Sequence, residues 1–295
     1  MSGGRGVLLA AHGTPESLDE MPEYLRLVRG GRPPSAELVE EMRHNYASIG
    51  GRSPLTDITR AQAAALRAEL GGAPVFVGMR NWKPFIADAI EEAHASGITE
   101  LVAIPLAPQY SSLSVAKYRQ AAEAAAPAGM NLRFVDSWHA EPALLDAFAA
   151  RVREALAGGP VDAVVFTAHS LPRRAIEEGD PYANQVAETA RGVAVRAGLA
   201  DYEQAWQSAG RTAEPWLGPS LEERIEALAR GGCAQVLVAP IGFVCDHTEV
   251  LYDIDVQARA FAQARGVTLR RTESLNTSPA FIRALATVAR RALSI

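Results

Sequence analysis

Cysteine is scarce: Cys233 and Cys245 are the only two in 295 residues. They form no C-x-x-C cluster and no disulfide framework, which excludes a cysteine-built metal centre and a stapled secreted scaffold. Both lie next to an apolar run at residues 236–239, where buried free thiols are expected. A basic surplus is lacking too. Lysine and arginine number 29 against 34 acidic residues, for a net charge of −5, so the chain carries no electrostatic footprint for nucleic acid. Long apolar runs are also missing. The run at residues 7–11 is too short for the core of a secretory signal. No stretch approaches the roughly 20 apolar residues of a membrane span. A reducing cytoplasm is the expected compartment. What is present, 48% hydrophobic and 21% charged residues, suffices for a large core, and the length suggests two domains.

The chain is organised around residues 236–255, VLVAPIGFVCDHTEVLYDID. An apolar run long enough for a buried strand is broken by Pro240 and Gly242. Asp246, His247 and Thr248 then offer side chains able to cap a helix. From Thr248 the spacing turns helical, which would put Glu249 and Asp253 one turn apart on one face. Acids at a helix start are either solvated dipole partners or part of a site outside the carboxyl ends of a parallel sheet.

Strands are expected at residues 6–11, 75–79, 101–106 and 132–135, with helices between them. After Gly158-Gly159-Pro160, the best linker by composition, the plan repeats with strands at 163–167, 202–206, 236–239 and 267–271. Ala11-His12-Gly13-Thr14-Pro15 follows the first strand of one half. Ala168-His169-Ser170-Leu171-Pro172 follows that of the other. Alternation of strands and helices in two halves predicts an α/β protein of two similar Rossmann-like lobes, each a four-stranded parallel sheet flanked by helices. The expected division is 1–158, 159–278, and a last helix at 279–295 packing back on the N-terminal lobe. Right-handed crossovers put the strand ends of a half on one side. If the halves face each other, His12, His169 and Glu249 converge on one cleft.

Histidine with a carboxylate can be a small divalent metal site, suited to iron or zinc, or an acid–base pair. Two protein ligands leave coordination positions open, which suits a metal in transit rather than one held structurally. The Gly/Pro-rich stretch at residues 206–219 holds Trp206 and Trp216. These are either core plugs or the walls of a site for a flat aromatic ligand. Arg29, Arg32 and Arg52, with Ser53 beside them, lie in loops and are either solvated or suited to carboxylates.

Further motifs are Ala168-His169-Ser170-Leu171-Pro172 with Gly179-Asp180-Pro181-Tyr182, Trp206-Gln207-Ser208 with Pro215-Trp216-Leu217-Gly218-Pro219, and Pro240-Ile241-Gly242-Phe243-Val244 with Asp246-His247 and Glu249-Val250-Leu251-Tyr252-Asp253. Gly13-Thr14-Pro15, Ile49-Gly50-Gly51 and Ser53-Pro54-Leu55 join them. Together, over nearly the whole chain, they resemble the ferrochelatase family. The resemblance implies insertion of ferrous iron into a porphyrin in haem biosynthesis, in the cleft between the lobes. It implies that His169 and Glu249 bind metal and accept protons, and that Asp253 lies on an outer metal path. The compact chain is most similar to the coproporphyrin type. By that likeness His12, Arg29, Asn45, Tyr46, Ser53 and Tyr118 contact the porphyrin, with Trp206 and Trp216 walling the cleft. His12 stands where relatives commonly have a tyrosine that can ligate the product iron, so His12 is expected to bind that iron; Asn45 stands where they have arginine, and Gln257 where they often have a third acid. No obligatory cofactor is expected, since iron is a substrate and no cysteine-rich tail offers an iron–sulfur cluster. A monomer is expected. The alternatives are a protoporphyrin IX ferrochelatase, a cobalt chelatase and a non-catalytic tetrapyrrole carrier.

Overall fold

The computed structural model describes residues 4–294. In chain order they form β1 (Gly4–Ala11), a 3-10 turn at Leu18–Glu20, α1 (Met21–Val28), α2 (Ala36–Ser48), α3 (Leu55–Glu69), β2 (Val75–Met79), α4 (Ile86–Ala95), β3 (Ile98–Pro105), α5 (Val115–Ala125) and β4 (Asn131–Phe134). The second run is α6 (Pro142–Ala157), β5 (Ala163–His169), α7 (Arg173–Glu177), α8 (Tyr182–Ala197), β6 (Glu203–Gln207), α9 (Leu221–Arg230), β7 (Gln235–Pro240) and α10 (Thr248–Leu251). It closes with a π-helical segment at Asp253–Ala258, α11 (Arg259–Gln263), β8 (Thr268–Arg271) and α12 (Pro279–Leu293).

The strands make two four-stranded sheets, ordered β2-β1-β3-β4 and β6-β5-β7-β8, with every neighbouring pair parallel. The second order is the first one moved along by four strands, so the sequence repeat is a repeat of topology. A parallel sheet with helices on both faces has no solvent side, and its inner strands are therefore continuously apolar. Val7, Leu8 and Leu9 on β1, and Val165 and Phe166 on β5, are fully buried. Helix starts reflect local chemistry. The Ser35 hydroxyl accepts from the Leu38 N–H at 3.3 Å. Ser220 and Glu223 form a reciprocal box: Ser220 Oγ accepts from Glu223 N at 3.1 Å, and Glu223 Oε2 accepts from Ser220 N at 2.7 Å.

The chain divides into two units. One runs to Pro108 and includes Ser112–Trp138 and the chain from Asn276; the other is Gln109–Ser111 with His139–Leu275. The mid-chain division thus falls after Trp138, not after 158. The reason is that α6 packs along α8. Nor is Gly158-Gly159-Pro160 a free linker: Arg270 donates to the carbonyls of Gly159 at 3.0 Å and Pro160 at 3.1 Å. In the first unit α12 lies on α3 and β3, and Gln62 Nε2 donates to the Asn276 carbonyl at 2.8 Å. Gln109 and Ser111, polar by sequence, are buried in the second unit. Gln109 Nε2 donates to Thr189 Oγ1 at 3.1 Å and to the Ile241 carbonyl at 3.2 Å, which satisfies its buried amide.

Candidate active site

The strand order of the second sheet reverses between β5 and β7, the place where open parallel sheets leave a crevice at their carboxyl ends. His169 is the last residue of β5, and Glu249 follows β7 on α10. Gly242 lets the chain after β7 cross close above β5. A Cβ there would lie 2.6 Å from Ala168 Cβ, and the Gly242 N–H donates to the Thr167 carbonyl at 3.2 Å. The outcome is a His169 Nε2 to Glu249 Oε2 separation of 3.7 Å.

His169 Nδ1 lies against the Ser170 carbonyl. A carbonyl only accepts, so Nδ1 is the donor of that bond, and Nε2 is the nitrogen that faces Glu249. Two donors, each roughly 2.0–2.2 Å from one ion, are separated by about this span. By sequence His247 is only a candidate cap. In the structure its Nδ1 is 3.1 Å from the Cys245 carbonyl and its Nε2 3.8 Å from Glu249 Oε2. The signal for it is its place two residues before Glu249, just past a strand end. Among the described residues no group of three or more His, Cys, Asp or Glu closes on a metal position.

The helix bearing Glu249 differs from the regular α-helix expected. His247 is its N-cap residue and makes no side-chain cap bond. After one turn the helix widens: the Gln257 N–H reaches the Tyr252 carbonyl, five residues back, at 2.9 Å. A π-turn shifts the face presented by the residues beyond it, so the residues after Asp253 leave the register of a regular α-helix. The segment is pinned from outside. Ser208 donates to Asp253. Arg271 on β8 grips Asp255 with two bonds, of 2.9 and 2.8 Å, and reaches Asp246 at 3.4 Å. Ser274 donates to Asp246 at 2.7 Å. Asp246, expected as a cap, serves this cluster instead.

Electrostatics reflect burial. The Asp253 carboxyl is pushed up to about 7, first by burial and then by the charge on Glu249, against the pull of the Ser208 bond. Burial, followed by the same Glu249 charge, raises the Tyr182 phenol and keeps it neutral. Burial likewise pushes the Cys245 thiol up to about 12, with help from Asp246. Asp253 therefore makes stability depend on pH. An unfolded aspartate ionises near about 3.9. Between there and about 7 the folded protein holds a proton that the unfolded chain has lost. Folding is disfavoured increasingly as pH rises through that window, and not at all below it. Asp253→Asn is expected to raise Tm at pH 8 and leave it unchanged at pH 4. An equal shift at both pH values in thermal unfolding would assign the effect to packing.

The other residues expected at a site are spread over both units. His12 is exposed just past β1 in the first unit, its ring nitrogens 3.2 and 3.3 Å from Asn81 Nδ2 and its ring edge-on to Tyr24. Arg29 ends α1, exposed. Asn45 is half-buried on α2, and Ser53 is buried with its hydroxyl accepting from the Leu55 N–H. Tyr46 and Tyr118 belong to two separate core clusters of the first unit. Trp206 is buried on β6 against Tyr182. Trp216 is half-buried and donates to Thr212 at 2.8 Å.

A family model described as ferrochelatase matches residues 4–293. The ferrochelatase of Deinococcus radiodurans is 47% identical over 300 residues, spanning 97% of this chain and 95% of its own. The coproporphyrin III ferrochelatase of Geobacillus kaustophilus is 40% identical over 297 residues, spanning 96% and 94%. Among solved structures, SirB from Bacillus subtilis with Fe3+ superposes with a TM-score of 0.60 at 13% identity, over 98% of this chain and 96% of its own. The sirohydrochlorin chelatase of Bacillus subtilis subspecies spizizenii in complex with cobalt gives 0.58 at 11%, over 99% and 96%. At such identities these structures speak for the two-sheet fold alone. Family match and relatives, each running nearly end to end, lead to one conclusion: this chain belongs to the ferrochelatase family.

Proposed function

We propose that this protein inserts ferrous iron into a porphyrin to form haem, and that coproporphyrin III is preferred to protoporphyrin IX. The observation that carries the reading is the His169–Glu249 pair, with imidazole Nε2 3.7 Å from a carboxylate oxygen at the crevice of a parallel sheet. Pyrrole N–H groups in a flat macrocycle are weak acids and sterically shielded. Bending the ring exposes their nitrogens, and strain of this kind is worth about 1–5 kcal/mol. His169 Nε2 then accepts a pyrrole proton, which requires the neutral ring. Glu249 offers the anionic oxygen that draws the cation to the same point. Two protons leave for each ion that enters, so charge balances across the exchange.

Porphyrin contacts are assigned to His12, Arg29, Asn45, Tyr46, Ser53 and Tyr118, with Trp206 and Trp216 as walls and Asp253 on the path of the metal. The protein acts as a monomer in the cytoplasm, with iron as substrate rather than resident cofactor. Preference for coproporphyrin III is supported by the relatives that carry that name. It is supported also by the polar stretch after Pro15, where Glu16 and Ser17 are exposed. Among the described residues no helix is long and apolar enough to cross a membrane. Coproporphyrin carries four propionates against two, so donors such as Arg29 matter more for it. The test is kcat/KM for both porphyrins side by side in detergent-free buffer. Coproporphyrin III is expected to be turned over more efficiently; equal or better use of protoporphyrin IX would contradict the preference and leave the insertion chemistry standing.

A further inference from the structure

We propose that Gln207 is a positioning residue that sets the separation of His169 and Glu249; this rests on the reading of that pair as the reacting centre. Gln207 ends β6, in register with His169 on β5. It is 5% exposed, so its amide must find partners within the protein. It finds one on each arm of the pair. Its Oε1 accepts from Thr167 Oγ1 at 2.8 Å, two residues before His169 on the same strand. Its Nε2 donates to the Glu249 carbonyl at 2.7 Å. Its own carbonyl accepts from the Ser170 N–H at 2.7 Å, one residue beyond His169.

The direction of the amide is fixed by chemistry. The Glu249 carbonyl only accepts, so nitrogen must face it, and oxygen then faces the Thr167 hydroxyl. Thr167 is fully buried, and its backbone carbonyl receives the Gly242 N–H. One planar neutral group therefore spans from the β5 strand end to the first turn of α10. That is where a spacer must lie to hold an imidazole and a carboxylate at 3.7 Å. The next residue, Ser208, turns the chain with φ +59° and bonds Asp253, so the end of β6 also fixes the start of the π-helical segment.

The experiment compares the parent with Gln207→Met, Thr167→Val, the double variant and His169→Ala. Methionine keeps the length of glutamine and removes both amide groups; valine keeps the shape of threonine and removes the hydroxyl. Gln207→Met is expected to lower kcat for ferrous iron insertion about 10- to 100-fold, the scale of a misplacement of about 1 Å. KM for iron should rise, while porphyrin affinity by fluorescence quenching stays at the parent value. Thr167→Val should show the same pattern more weakly. The double variant should be no worse than Gln207→Met alone, as for two groups acting through one bridge. A folded Gln207→Met with parental kcat and KM, or with porphyrin affinity lost in step with rate, overturns the proposal. If Gln207→Met does not fold, parental kinetics in Thr167→Val overturn it. With His169→Ala inactive, such a result leaves the reading of the pair standing; an active His169→Ala removes that reading and the proposal with it.

Discussion

Replacing His169 by alanine is expected to abolish iron insertion while porphyrin binding survives. The side chain ends β5 with Nδ1 bonded to the Ser170 carbonyl and Nε2 towards Glu249. Removing it takes away the proposed proton acceptor and metal ligand together, and nothing that the fold of β5 depends on, because the strand is held by its backbone ladder and by Val165 and Phe166. General-base catalysis alone contributes typically about 10²–10⁴-fold. Loss of a ligand adds to that. Absorbance assays under anaerobic conditions give the rate, and quenching of porphyrin fluorescence gives the affinity. Affinity lost in parallel with rate would make His169 a structural residue.

The second large effect concerns stability. Arg271 is 10% exposed in its side chain, and its partners Asp255 and Asp246 are 19% and 18% exposed. Burial works against the guanidinium charge, but Asp255, Asp246 and Glu273 outweigh it and hold its pKa above the usual value. Arg271→Leu leaves two largely buried carboxylates without that counter-ion. Breaking a buried pair from one side costs about 3–5 kcal/mol, and that loss is expected in urea unfolding. A cost below about 1 kcal/mol would place the cluster among surface ion pairs, which contribute little.

Much of this architecture is legible in the residues, for physical reasons. Buried parallel strands must be apolar runs, so residues 7–11 and 236–239 mark themselves, and a repeated Ala-His-x-x-Pro after a first strand betrays the duplicated topology. Strand-end position also singles out His169. What escapes is whatever depends on partners distant in the chain. Gln109 looks like a solvent residue until Thr189 and Ile241 supply its bonds. The stretch from Val250 to Asp255 has ordinary helical spacing. Its π-turn lies where Ser208 holds Asp253 and Arg271 holds Asp255. His247 reads as a cap because a cap and a site residue occupy the same place after a strand. The Gly158-Gly159-Pro160 stretch has the composition of a linker, and only Arg270 shows otherwise.

The measurement that bears most directly on the central claim is anaerobic mixing of the protein with ferrous iron and coproporphyrin III. Absorbance is recorded together with proton release, and the His169→Ala protein is run alongside. The account predicts that free-base porphyrin bands give way to metalloporphyrin bands, with two protons released per iron, in the parent and not in the variant. Unchanged free-base bands with the parent protein, or equal rates in parent and variant, would contradict it.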